Sequence, residues 1–144
     1  MKILVTGANG VSIYSNKELK KDIVLRSYPK PIAAYEKIYG IKCENLPFIY
    51  DVINLDDGQI VLEEYIDGIT VSDVMESGEY NYSGVKKVIE SVCHALCVLH
   101  ERNIAHRDIK PKNIIIDNEG RVVLIDFNAS RIMSFLGRDT SIMG

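Results

Sequence analysis

A chain of 144 residues, 47% apolar and 26% charged, has material for one ordinary domain with a real core and is neither disordered nor fibrous in composition. A formal net charge of −3, with no lysine- or arginine-rich block, argues against nucleic acid as a partner. No apolar run reaches membrane-span length, the opening Met-Lys-Ile-Leu-Val is too short for a signal-peptide core, and Cys93 and Cys97, four apart on one helical face, read as buried reduced thiols, so a cytoplasmic setting is expected.

Lys2–Thr6 reads as a strand running into Gly7-Ala8-Asn9-Gly10, and Val11-Ser12-Ile13-Tyr14 alternates as a second strand. The first ten residues resemble the start of short-chain dehydrogenases, where a glycine turn admits a dinucleotide pyrophosphate to a helix N-terminus. That motif requires glycine at position 13 and a helix after the turn. Ile13 stands there and the strand pattern continues, so a hairpin is expected instead. Asp22–Arg26 forms a third strand with Val24 and Arg26 on one face, and Lys30, past Pro29, is a second cation beyond the strand. Pro31 opens a helix, Ile32 to Tyr39, closed by Gly40 and carrying Glu36 in its middle. Asn45–Asp51 leads into a fourth strand. Gln59–Tyr65 forms a fifth behind the Asp56-Asp57-Gly58 turn, and Ile66-Asp67-Gly68 follows as a connector.

Val71 to Ser77 fits a short helix and Gly78 to Tyr82 a loop. From Ser83, the expected N-cap, Val85, Val88, Ile89, Val92, Cys93, Leu96 and Leu99 recur at three and four and define a buried stripe. His94, His100 and His106 have no metal-ligand spacing and are expected as satisfied or solvent-facing side chains. After the helix comes His106-Arg107-Asp108-Ile109-Lys110-Pro111-Lys112-Asn113. Apolar Ile114–Ile116, a turn at Asn118-Glu119-Gly120 and a strand over Arg121–Ile125 then lead to Asp126-Phe127-Asn128. One hairpin separates Asp108 from Asp126, so folding can deliver both carboxylates to one cleft. One carboxylate to orient a hydroxyl, another with an amide to hold magnesium, and an ammonium to offset phosphate charge suit phosphoryl transfer.

The order and spacing of these residues resemble the catalytic loop and metal-binding triplet of eukaryotic-type serine/threonine protein kinases. The resemblance implies an α+β, protein-kinase-like two-lobe fold as a partial kinase domain over residues 1–144. A small antiparallel β-sheet lobe with one helix takes residues 1–66, and an incomplete, mainly helical lobe takes 67–144, with the catalytic loop and activation segment. ATP and Mg2+ are the implied cofactors and a protein bearing serine or threonine the implied partner, with no nucleic acid and no membrane. Asp108 and Lys110 would be catalytic, and Asn113 and Asp126 would hold metal and nucleotide. Gly7 and Gly10 would cover phosphates. Arg26 would stand where the family has lysine, with Glu36 as its helix partner, and backbone groups near Glu64 and Ile66 would meet adenine. Glu63 falls at the back of the adenine pocket, where an acid is less usual and offers the cation a second partner. Arg107 would answer a phosphorylated activation segment, which holds Ser130, Ser134, Thr140 and Ser141, with Thr140 the expected control site.

Three departures keep a second reading open: Arg26 for lysine, Asn128 for a glycine whose positive φ asparagine tolerates, and a helical lobe that stops early. That reading is a truncated or pseudokinase-type fragment that binds nucleotide, or a partner, without turnover. A small-molecule phosphotransferase of the aminoglycoside type shares the two-aspartate cleft but usually has glycine in place of Arg107 and no lysine at 110, and a dinucleotide-binding fold ranks last. Helix faces left uncovered by the missing part would favour self-association.

Overall fold

The computed structural model describes residues 2–6, 10–16 and 21–134; Gly7, Thr140 and Ser141, singled out above, lie outside them. Five antiparallel strands form the upper sheet in the order β1-β2-β3-β5-β4. They are β1 (Lys2–Thr6), β2 (Val11–Asn16), β3 (Lys21–Tyr28), β4 (Ile49–Leu55) and β5 (Gly58–Glu64). Because β1 pairs antiparallel with β2, the glycine turn joins two strands, and the dinucleotide reading, which needs a helix there, is overturned. Gly10 has φ 72°, and a Cβ there would stand 2.9 Å from the Ser27 carbonyl oxygen. Its own carbonyl accepts from the Ser27 N–H at 2.9 Å, so close approach and a left-handed backbone both demand glycine.

Helix α1 (Ala33–Ile38) is one residue shorter at each end than the pattern suggested, since Ile32 and Tyr39 serve as its caps. It buries Ala34, Tyr35 and Ile38 against the sheet. The linker after it carries Asn45, which fastens the upper sheet to the lower half. Its Nδ2 donates to the Val122 carbonyl at 2.8 Å, its Oδ1 accepts from His94 Nδ1 at 2.7 Å, and its carbonyl accepts from the Leu124 N–H at 3.0 Å. His94 is thus a satisfied histidine, as expected.

The lower half begins with β6 (Gly68–Thr70) and α2 (Val71–Ser77), capped by reciprocal hydrogen bonds between Thr70 and Asp73. Helix α3 (Tyr82–His100) starts earlier than expected. Its N-cap is Asn81, whose side chain accepts the Gly84 N–H at 2.9 Å, and Ser83 lies inside the helix. The short β7 (Ile104–Ala105) pairs with β10 (Arg131–Ile132), while β8 (Ile114–Asp117) and β9 (Val122–Leu124) join β6 in a small sheet. The helix stripe is only partly buried. Ala95 and Leu99 are covered by β9 and β7, and Val88, Val92 and Leu96 are half-covered. Val85 and Ile89 are exposed along an open apolar groove they share with Val71, Val74 and Met75 of α2, and Cys93 and Cys97 are exposed, so the two thiols are not core groups.

One core runs through both halves. Tyr35, Ile49 and Val61 from above meet Leu99, Ile104, Leu124 and Phe127 from below, all essentially inaccessible to water. Burying such side chains contributes about 1.5–3 kcal/mol each. The site lies along that junction.

Candidate active site

The loop after β7 is held by His106, whose ring is buried. Its Nδ1 faces the Asp108 N–H at 3.3 Å and so accepts, and its Nε2 therefore carries the proton and donates to the Ile125 carbonyl at 3.0 Å. The ring also stands edge-on to Phe127, centroids 5.2 Å apart. Burial pushes the His106 imidazole below its ordinary value, while the Ile125 carbonyl and the charges of Asp126 and Asp108 pull the other way. A further bond, from the Ile125 N–H to the Asn113 carbonyl at 2.9 Å, laces the loop to the strand that delivers Asp126. The backbone at Asp108 and at Ile125, the residue before Asp126, thus meets the two nitrogens of one histidine.

Asp108 is set in a small polar cluster. Lys110 Nζ lies 3.0 Å from its Oδ2, and Asn113 Nδ2 donates at 2.9 Å both to that oxygen and to the Asp108 carbonyl. The Lys110 hydrogen bond foremost, with Asn113 assisting, holds the Asp108 carboxyl below the ordinary range and keeps it ionised. The buried Asn113 amide is turned with nitrogen toward Asp108, which leaves its Oδ1 for another ligand. That oxygen and the Asp126 carboxylate are hard donors of the kind magnesium takes, so the residues present fit the ion.

Arg107 and Asp126 both adopt left-handed backbone, φ 69° and 67°. Side chains at such positions carry strain that surrounding packing must hold. The expectation that Asn128 would take the positive φ is corrected: the left-handed residue is Asp126, whose Oδ1 accepts the Asn128 N–H at 3.1 Å and closes the turn locally. Arg107 is exposed, as is Ser134, whereas Ser130 is buried with its hydroxyl on the Phe127 carbonyl at 2.6 Å.

Above the loop, Arg26 points inward from β3 and meets Glu63 of β5, Nε to Oε1 2.5 Å, with the Glu63 side chain only 2% exposed. Glu36 was the expected partner, and the structure corrects this. Glu36 is exposed on α1 and accepts from Asn54 Nδ2 at 2.6 Å, because the helix turns Tyr35 rather than Glu36 toward the sheet. Burial raises the Glu63 carboxyl above its ordinary value against the pull of Arg26, while Asp126 adds to the rise. For Arg26, burial opposes the charge, but the Glu63 carboxylate outweighs it. Lys30 sits exposed in the bend after Pro29, outside this cluster.

At the connector between halves, the Glu64 N–H donates to the Phe48 carbonyl at 2.8 Å. The Glu64 carboxylate takes the Phe48 N–H at 3.1 Å and Arg121 at 2.6 Å. Arg121 also holds Asp117 at 3.1 Å, and Asn118 Nδ2 holds Asp67 at 3.0 Å. The β8–β9 hairpin thereby braces the connector that carries Glu64 and the buried Ile66. Sequence reasoning missed Arg121 and Asn45 as braces, since no spacing rule links them to partners 57 and 77 residues away.

A five-stranded antiparallel sheet, a loop that carries Asp108 and a hairpin that leads the chain on to Asp126 make the layout of a partial kinase-like fold, which is the class. Residues 8–144 match the model of the protein kinase domain, and the chain belongs to the protein kinase family. It is 30% identical over 137 residues to a probable serine/threonine-protein kinase of Clostridium perfringens, covering 93% of this chain and 20% of that protein. It is 31% identical over 142 residues to the serine/threonine-protein kinase greatwall of Homo sapiens, covering 95% of this chain and 16% of the relative. Against the serine/threonine-protein kinase PrkC of Bacillus subtilis it is 32% identical over 91 residues, 62% of this chain and 14% of that protein. The chain therefore spans a fifth or less of the length of these relatives.

Proposed function

We propose that this chain supplies the nucleotide cleft and catalytic loop for ATP-dependent phosphoryl transfer to serine or threonine hydroxyls of proteins. The observation that carries the reading is the setting of Asp108: its carboxyl lies 3.0 Å from the Lys110 ammonium and 2.9 Å from the Asn113 amide, on a loop laced to the residue before Asp126. Asp108 orients the attacking hydroxyl and accepts its proton, and Lys110 offsets the charge that develops on the transferred group. Asn113 Oδ1 and Asp126 would hold Mg2+, which supplies charge neutralisation between the nucleotide phosphates when bound. Arg26 faces the phosphates from above, Gly10 lies over them, and backbone groups at Glu64 and Ile66 meet adenine. A cytoplasmic setting and self-association through the exposed apolar side of α3 belong to the same proposal.

The test is transfer of labelled phosphate from ATP to a generic basic protein. Asp108→Asn is expected to abolish transfer by at least about a thousandfold while ATP binding survives. Wild-type protein that binds ATP with Mg2+ but never transfers phosphate would instead support the second reading, a nucleotide-binding fragment without turnover, which Arg26 in place of lysine favours.

A further inference from the structure

Arg26 and the carboxylate that holds it come from the same sheet. In the β3–β5 register Val24 faces Glu63 and Arg26 faces Val61, so Arg26 and Glu63 are diagonal neighbours on one face, within reach of long side chains. The helix contributes no carboxylate here. Tyr35 fills the space instead, its hydroxyl 2.7 Å from that of Tyr28 and its ring edge-on to Phe127 at 5.5 Å. We propose that Glu63 is the positioning residue for Arg26, doing within the sheet what a helix carboxylate would otherwise do, so that Arg26 stays aimed at the nucleotide phosphates whatever the placement of α1.

The choice of arginine follows from this geometry. Its Nε is taken by Glu63, and among the described residues its two terminal nitrogens enter no ion pair. A planar fork serves a carboxylate on one edge and phosphate oxygens on the other, whereas a lysine would have to share one nitrogen between them. The pair is also poorly explained as a stability device. Glu63 Oε2 is buried with no hydrogen-bond partner among the described residues, and a half-satisfied buried carboxylate works against folding. Arginine at 26 and an acid at 63 thus read as one matched pair.

The inference rests on the phosphoryl-transfer reading, and titration calorimetry of the chain with Mg-ATP, Mg-ADP and adenosine separates the two. Wild-type protein is expected to bind the phosphorylated ligands more tightly than adenosine. Glu63→Gln is expected to weaken ATP and ADP by about tenfold and leave adenosine unchanged, while Glu36→Gln alters none of them. Arg26→Lys, a second variant in case Glu63→Gln folds poorly, is expected to show the same phosphate-selective loss. Adenosine weakening as much as ATP in Glu63→Gln would reduce Glu63 to a pocket wall, and an ATP loss in Glu36→Gln would return the role to the helix; either overturns the proposal. Wild-type protein that binds neither ATP nor adenosine overturns the phosphoryl-transfer reading itself.

Discussion

Removing one member of a buried ion pair leaves a charge without a counter-ion, and this governs what substitutions at Arg26 and Glu63 do. Arg26→Ala leaves the Glu63 carboxylate in the core, where truncating one partner of such a pair typically destabilises by about 3–5 kcal/mol. Arg26→Met combined with Glu63→Leu is expected to recover most of that loss, since well-packed apolar replacements remove both desolvated charges together. Urea midpoints of the single and double variants check both statements. A double variant no more stable than Arg26→Ala would contradict them. At this scale the sequence was informative about identity and silent about pairing. Asp108, Lys110, Asn113 and Asp126 could be singled out because their types and order suit a chemical task. Glu36 and Glu63 could both be offered as partners for Arg26, and only the strand register and the rotation of α1 decide between them.

Elements were legible where one signal dominated and were misplaced where two competed. The strands of the upper sheet follow alternation and turn residues, and α2 starts and stops where its pattern places it, between Thr70 and Gly78. The start of α3 was ambiguous because Asn81 and Ser83 are both good caps. The extended backbone at Asn81, φ −134° and ψ 172°, makes it the residue whose side chain can reach back to the Gly84 N–H. Asn81→Ala is therefore expected to lower stability by about 1 kcal/mol. Ser83→Ala, inside an exposed first turn, is expected to change it by less than about 0.5 kcal/mol. A larger loss from Ser83→Ala than from Asn81→Ala, read from denaturant unfolding, would place the cap where the sequence pattern put it. The apolar stripe of α3 was correct in period and wrong in extent, since periodicity marks which residues share a face but not whether a neighbour covers it.

For the whole molecule, the buried ionisable groups give the pH dependence of stability two opposing contributions. His106 is held below its ordinary value of 6.5, so its contribution is complete above that pH and is lost as pH falls through its folded value. Glu63 is held above its ordinary value of 4.5, so its contribution is present below that pH and is lost as pH rises through its folded value. Acidification from pH 7 is therefore expected to shrink the stability gap between wild type and His106→Gln and to widen the gap between wild type and Glu63→Gln. Thermal melts in matched buffers read both, and gaps that stay parallel across the range would show that neither group titrates differently on folding. The two-lobe arrangement was visible in the order of motifs, but the braces that join the lobes, Asn45 to β9 and α3 and Arg121 to Glu64, were not, because long-range hydrogen bonds leave no local pattern.

In the proposed function Asn113 and Asp126 face a magnesium-nucleotide across from Arg26, with Asp108 and Lys110 at the transferred phosphate. A crystal structure with magnesium and a non-hydrolysable ATP analogue measures this directly. It is expected to place the cation on Asn113 Oδ1 and an Asp126 carboxylate oxygen, with the terminal phosphate beside Lys110 and a guanidinium nitrogen of Arg26 on the phosphates above. A nucleotide seated elsewhere, or a cation that engages neither Asn113 nor Asp126, would contradict this arrangement.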